Sequence, residues 1–150
     1  MSNHITVGPI HHLRLTVTDV NRSREFYTSV LGFGIAADAP PPADHPEHAL
    51  IKDALQDGVV LINGNMLMGL RPANAAHLSK GDQFEELRVG LDHLSFSVAS
   101  RDDLERALGV LDERGVPHGA IKDLGSVFRL YVLAFRDPDN IQLELAAPYS

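Results

Sequence analysis

Apolar and polar residues alternate with a period of two over His11–Val17 (H-H-L-R-L-T-V) and again over Asp92–Val98 (D-H-L-S-F-S-V). Such alternation marks a strand with one apolar and one polar face. With His12 set against His93, Leu13, Leu15 and Val17 fall on Leu94, Phe96 and Val98. Arg14 and Thr16 fall on Ser95 and Ser97, and in both copies the histidine shares the polar face.

The pattern then shifts to a helical period in both copies. Asp19 or Asn21 can cap a first helix carrying Phe26, Val30 and Leu31 on one stripe, with Gly32 as terminator. Ser100 can cap a second helix, with Leu104, Leu108 and Leu111 on one stripe and Gly115 at its end. Strands resume after each. Val59–Ile62 and Met66–Arg71 flank the hairpin signal Asn63-Gly64-Asn65. Val127–Arg136 and Ile141–Ala146 flank the turn Asp137-Pro138-Asp139-Asn140. Each half therefore reads as βαβββ, an α+β unit occurring twice. The copies are offset by 81 residues at the first strands (His12 to His93) and by 75 at the last (Gly69 to Glu144). The surplus of the first copy is 38–58, a proline-rich loop followed by helical spacing over Glu47–Gln56. The expected organisation is one domain of two modules, about 8–72 and 90–148, joined by a linker at about 73–89.

Composition narrows the chemistry. The 150 residues include 20 acidic and 13 basic side chains, eight histidines and no cysteine. A net charge of −7 opposes nucleic-acid binding, which needs a basic face. No apolar run approaches the ~20 residues that span a bilayer. Met1-Ser2-Asn3-His4 lacks the basic and apolar stretches of a signal peptide, so a cytoplasmic location is expected. Without cysteine, a metal can be held only by His, Asp, Glu and water.

The repeated βαβββ unit, with a histidine at the same place in each first strand, resembles the vicinal oxygen chelate superfamily. That group includes glyoxalase I, extradiol dioxygenases, fosfomycin-resistance transferases and bleomycin-binding proteins. The resemblance is carried most specifically by His12–Asp19 running into Phe26–Phe33, and by Phe135–Glu144. It implies two modules whose eight strands curl around a pocket, with a divalent ion bound at first-strand and last-strand positions. Those positions are His12, Gly69, His93 and Glu144, so the implied ligands are His12, His93 and Glu144. Parity agrees: Glu144 stands on the polar face of the last strand, between Leu143 and Leu145. A lone strand-opening histidine is ordinarily a surface residue. Two at matching repeat positions, joined by this glutamate, favour a metal. Two imidazoles and one carboxylate suit Fe, Mn, Ni, Co or Zn. His11 is set aside as lying on the opposite strand face, and the other five histidines read as solvated.

Gly69 lacks the carboxylate that glyoxalase I places there. Ala134 replaces the tyrosine of extradiol and fosfomycin enzymes, and no histidine precedes it nearby. The expectation is therefore a metal-dependent enzyme of this superfamily that is neither a typical glyoxalase I nor a typical extradiol dioxygenase. Its catalytic residues are left unassigned. Its small oxygen-bearing substrate would chelate the ion and meet Arg14, Thr16, Leu67, Gly69, Arg71, Ser95, Phe128, Ala134 and Gln142. Arg14 or Arg71 would pair with a substrate anion, and Gly69 and Ala134 would leave room for a bulky or planar group. The alternative is a drug-sequestering protein like the bleomycin binders, for which −7 suits a cationic ligand. The resemblance also implies a homodimer.

Overall fold

The computed structural model describes residues 3–149. These form two compact units that meet in sequence between Ser79 and Lys80. The first contains β1 (His12–Val17), α1 (Val20–Ser29), β2 (Gly34–Ala37), α2 (His48–Leu55), β3 (Val59–Asn63), β4 (Met66–Pro72) and α3 (Ala75–Ser79). The second contains β5 (Leu94–Ser97), α4 (Arg101–Glu113), β6 (Lys122–Asp123), α5 (Gly125–Phe128), β7 (Leu130–Arg136) and β8 (Gln142–Pro148).

Each unit builds one four-stranded sheet, in the orders β1-β4-β3-β2 and β5-β8-β7-β6. In each, the first and last strands pair in parallel and the other pairs are antiparallel. The register repeats as well. Arg14 is partnered by Gly69, and the residues aligned with them, Ser95 and Glu144, are likewise partners. The α+β repeat read from alternation is thus reproduced down to individual strand partners.

Alternation sets the core of each unit. Leu15 and Val17 are buried while His12, Arg14 and Thr16 are exposed. The apolar face continues through Met68, Leu70 and Leu61, all fully buried. Helix α1 packs against β4 and β3 and buries Ser23, Phe26 and Tyr27. Its buried stripe is therefore centred on Tyr27, while Val30 and Leu31 stay half-buried. Asp19 caps it by accepting from the Arg22 N–H at 3.0 Å. In the second unit α4 packs against β8 and β7, and Leu104, Leu111, Leu133, Phe135, Leu143 and Leu145 are buried. Ser100 caps α4 through the Asp103 N–H. Fully burying a leucine or phenylalanine contributes about 1.5–3 kcal/mol, so these stripes account for most of what holds each helix to its sheet.

One expectation about chain path changes. The strand expected from Val127 begins at Leu130. Gly125 (φ 80°) and Arg129 (φ 53°) are left-handed, and between them Gly125–Phe128 makes one helical turn. An extended path cannot pass through either residue. The turn leaves Val127 and Phe128 exposed, which removes Phe128 from the strand face shared by Leu130, Val132 and Ala134. The Asp137-Pro138-Asp139-Asn140 turn forms as expected. The buried Asp137 carboxylate accepts from the N–H groups of Asp139 (2.8 Å) and Ile141 (2.9 Å).

The segment before β5 is tied down by a fork. Arg136 donates to both Glu86 oxygens, at 2.6 and 3.0 Å. That hydrogen bonding, with help from the Glu86 backbone, holds the Glu86 carboxyl at about 2 against an ordinary 4.5. Because the folded value is the lower one, the stabilisation is complete above the ordinary value and is lost as pH falls towards 2. The denaturant midpoint of wild type is expected to fall more steeply between pH 4.5 and 2.5 than that of Glu86→Gln. Parallel profiles by circular dichroism would contradict this.

No helix of the described residues is long and apolar enough to cross a membrane.

Candidate metal centre

In the second unit Glu144 and Ser95 are strand partners, so their side chains share the polar face. Ala134 joins them as the partner of Glu144 on the other side, and Gln142 lies opposite Arg136 on the same face. The Ser95 hydroxyl donates to Glu144 Oε1 at 2.8 Å. His93, immediately before β5, brings Nε2 to 3.8 Å from that same oxygen. The Glu144 side chain is only 18% exposed, flanked along the strand by buried Leu143 and Leu145. A carboxylate held there gains one hydroxyl donor and leaves most of its lone pairs unused.

The other imidazole nitrogen of His93 is occupied. Nδ1 lies 2.5 Å from Asp92 Oδ1. A carboxylate only accepts, so Nδ1 is the donor to Asp92, and in the neutral ring the lone pair is the one on Nε2, on the Glu144 side. A histidine that donates one ring N–H to a carboxylate while its other nitrogen faces a second carboxylate has the arrangement of a metal ligand. These donors therefore fit a divalent ion with mixed nitrogen and oxygen ligation. Within each unit taken by itself, no group of three His, Asp or Glu side chains gathers closely enough to hold an ion among the described residues.

The corresponding face of the first unit is built differently. His12 opens β1 beside Leu67, its partner on β4. At the place equivalent to Glu144 stands Gly69, and its strand partner is Arg14. A Cβ at Gly69 would lie 2.9 Å from Arg14 Cγ, so the arginine stem occupies the volume of the missing side chain. The guanidinium passes on to the end of α2, donating to the carbonyls of Ala54 (3.0 Å) and Leu55 (2.7 Å). A cation there adds a donor to carbonyls at the helix end and complements the helix dipole. The room expected at Gly69 is thus filled from within, and Arg14 is committed to α2. Gly69→Ala is expected to destabilise the protein by about 1 kcal/mol, and by close to zero when Arg14 is already alanine. Urea unfolding of the four proteins of this cycle measures the coupling; strict additivity would contradict the contact.

Arg71, the partner of Thr16, has a buried Nε with no hydrogen-bond partner among the described residues. It lines a groove of about 730 Å³ beside α2, together with His48, Lys52 and Asn74. Thr16 itself is exposed.

Three histidines read as solvated are used structurally. His48 Nδ1 lies 2.7 Å from the Pro41 carbonyl, and His45 Nδ1 accepts from the Glu47 N–H at 3.1 Å. His118 bridges the Gly119 carbonyl (2.6 Å) and Asp112 (2.8 Å), and those contacts push its pKa up. His11 departs furthest from expectation. The strand starts at His12, so parity does not bind His11, and its Nδ1 lies 2.9 Å from His12 Nδ1. Sequence reasoning set His11 aside and gave Asp92 no role. The repeat alignment did contain a signal, because it places His11 and Asp92 opposite each other, each just before a polar-face histidine.

Comparison with known proteins follows the same lines. The family model described as "Glyoxalase/Bleomycin resistance protein/Dioxygenase superfamily" matches residues 9–145. The chain is 28% identical over 138 residues to "Uncharacterized protein YaeR" of Escherichia coli (strain K12), covering 91% of this chain and 93% of that one. A glyoxylase/bleomycin resistance protein/dioxygenase domain from Frankia sp. EAN1pec superposes with a TM-score of 0.72 at 27% identity, covering 97% of this chain and 95% of that one. The genomically encoded fosfomycin resistance protein FosX from Listeria monocytogenes superposes with a TM-score of 0.67 at 14% identity, covering 95% and 94%. At that identity the likeness is one of fold.

Proposed function

The chain belongs to the glyoxalase/bleomycin resistance protein/dioxygenase superfamily, and on that premise we propose that it is a metal-dependent enzyme. Its substrate would be a small organic molecule bound through neighbouring oxygens. His93 and Glu144 hold a divalent ion, and His12, the matching residue of the other repeat, is the third donor. The observation that carries this reading is His93 itself, with Nδ1 on Asp92 and Nε2 3.8 Å from Glu144.

When bound, the ion supplies a Lewis acid for a developing enolate or phenolate oxygen, or a template for substrate and O₂. The protein's own contribution is positioning. Ser95 fixes one oxygen of Glu144. Ala134, its strand partner, adds no acid or base beside it. Arg71 is the cation of the first unit's polar face with an unpaired N–H, and it supports recognition of a substrate anion. The proposed setting is a cytoplasmic homodimer.

Metal analysis of untagged protein prepared without chelator tests the reading. Near-stoichiometric divalent metal in wild type, lost in His93→Ala, is expected. Negligible metal in wild type, with no difference between the two proteins in added-ion binding, would contradict it. The net charge of −7 favours a second reading, sequestration of a cationic molecule without catalysis. Tight binding of a basic, planar compound to metal-free protein would support that instead.

A further inference from the structure

In both units the residue immediately before the polar-face histidine engages that histidine's Nδ1. Asp92 Oδ1 lies 2.5 Å from His93 Nδ1, and His11 Nδ1 lies 2.9 Å from His12 Nδ1. The two imidazoles of the first pair meet edge to face, with ring centroids 5.1 Å apart and planes at 85°. Contact between two Nδ1 atoms requires one to be a donor and the other an acceptor.

The repeat indicates which is which. Asp92, at the aligned position, can only accept from His93 Nδ1–H, which in the neutral ring leaves the lone pair on Nε2. We propose that His11 is the counterpart of Asp92: a positioning residue whose Nδ1 accepts from His12 Nδ1–H. His12 Nε2 is then unprotonated and available for coordination. The inference rests on the proposed metal centre and assigns it an outer layer that differs between the repeats, a carboxylate behind His93 and an imidazole behind His12. His11, His12, Asp92 and His93 are all exposed, so the orienting contacts are not by-products of core packing.

Two measurements on the full-length protein test this. Long-range ¹H–¹⁵N spectra of the metal-free protein, at a pH where the histidines are neutral, report the tautomer of each ring. His12 and His93 are expected in the Nδ1–H form in wild type. His12 should revert towards the Nε2–H form in His11→Ala, and His93 should do so in Asp92→Ala. Co(II) affinity, read by competition and from the visible spectrum, is expected to fall about 10- to 100-fold in each of these variants. His11→Asp, which gives the first repeat the residue of the second, is expected to restore both the tautomer and the affinity. Unchanged His12 tautomer and affinity in His11→Ala, with affinity still abolished by His93→Ala, would overturn the role of His11 and leave the metal centre standing. A cobalt spectrum that loses one imidazole in His11→Asp would overturn it too, by making His11 a ligand. If His93→Ala and Glu144→Ala also leave Co(II) binding unchanged, the metal centre falls and this inference falls with it.

Discussion

Glu144→Ala is expected to weaken divalent-metal binding by at least about 100-fold while leaving the metal-free protein as stable as wild type, or more so. The two effects have opposite signs for one physical reason. Glu144 is a mostly buried carboxylate in a strand whose neighbours, Leu143 and Leu145, are core residues. Its partners among the described residues are the Ser95 hydroxyl and, more distantly, His93. Desolvating a charge for so few contacts costs free energy, which an ion would offset. Removing the carboxylate relieves the metal-free protein and deletes the only anionic donor of the proposed set. Losing an outer partner typically costs 10- to 100-fold, and losing a ligand should exceed that. Competition titration and thermal unfolding of metal-free protein read the two effects separately. A variant that unfolds readily and binds metal normally would reverse the assignment, making Glu144 structural.

Gly58→Ala is expected to cost about 3 kcal/mol, or roughly 10 °C in Tm. After α2 the chain reverses within three residues. Gln56 (φ 49°) and Asp57 (φ 60°) are both left-handed, and Gly58 then presses against the neighbouring strand. A Cβ at residue 58 would lie 1.9 Å from the Leu70 carbonyl oxygen and 2.9 Å from that of Leu55. Neither is a flexible side-chain tip. Leu70 pairs with Val59, so relief would require β3 to move away from β4 at its first rung. The same three residues set where α2 ends, and Arg14 reaches that end across Gly69. The substitution should therefore also loosen the polar face on which His12 stands. Unfolding within 1 kcal/mol of wild type would show that the turn can relax in some other way.

Much of the fold was legible because alternation in a half-buried strand maps directly onto faces. His12–Val17 follows its pattern residue by residue, and the matched offsets at His93 and Glu144 foretold the strand partners in both sheets. Caps at Asp19 and Ser100 and the Asp137 turn were legible because each is satisfied within a few residues of itself. What escaped lies at strand ends or far apart in sequence. Parity has no force outside the strand, which is why His11 was misplaced and why Phe128 was put on a strand it precedes. The Arg14 contact with α2 spans 40 residues and the Arg136–Glu86 fork spans 50. Long flexible side chains choose such partners by what the fold brings near, and no local pattern encodes that choice.

The most direct test of the central claim is anomalous diffraction at a metal absorption edge from crystals soaked in Co(II) or Zn(II). The account predicts a peak within about 2.0–2.2 Å of both His93 Nε2 and a Glu144 oxygen, with Asp92 still on Nδ1. A fully occupied ion elsewhere, or none at this pair under saturating metal, would contradict it.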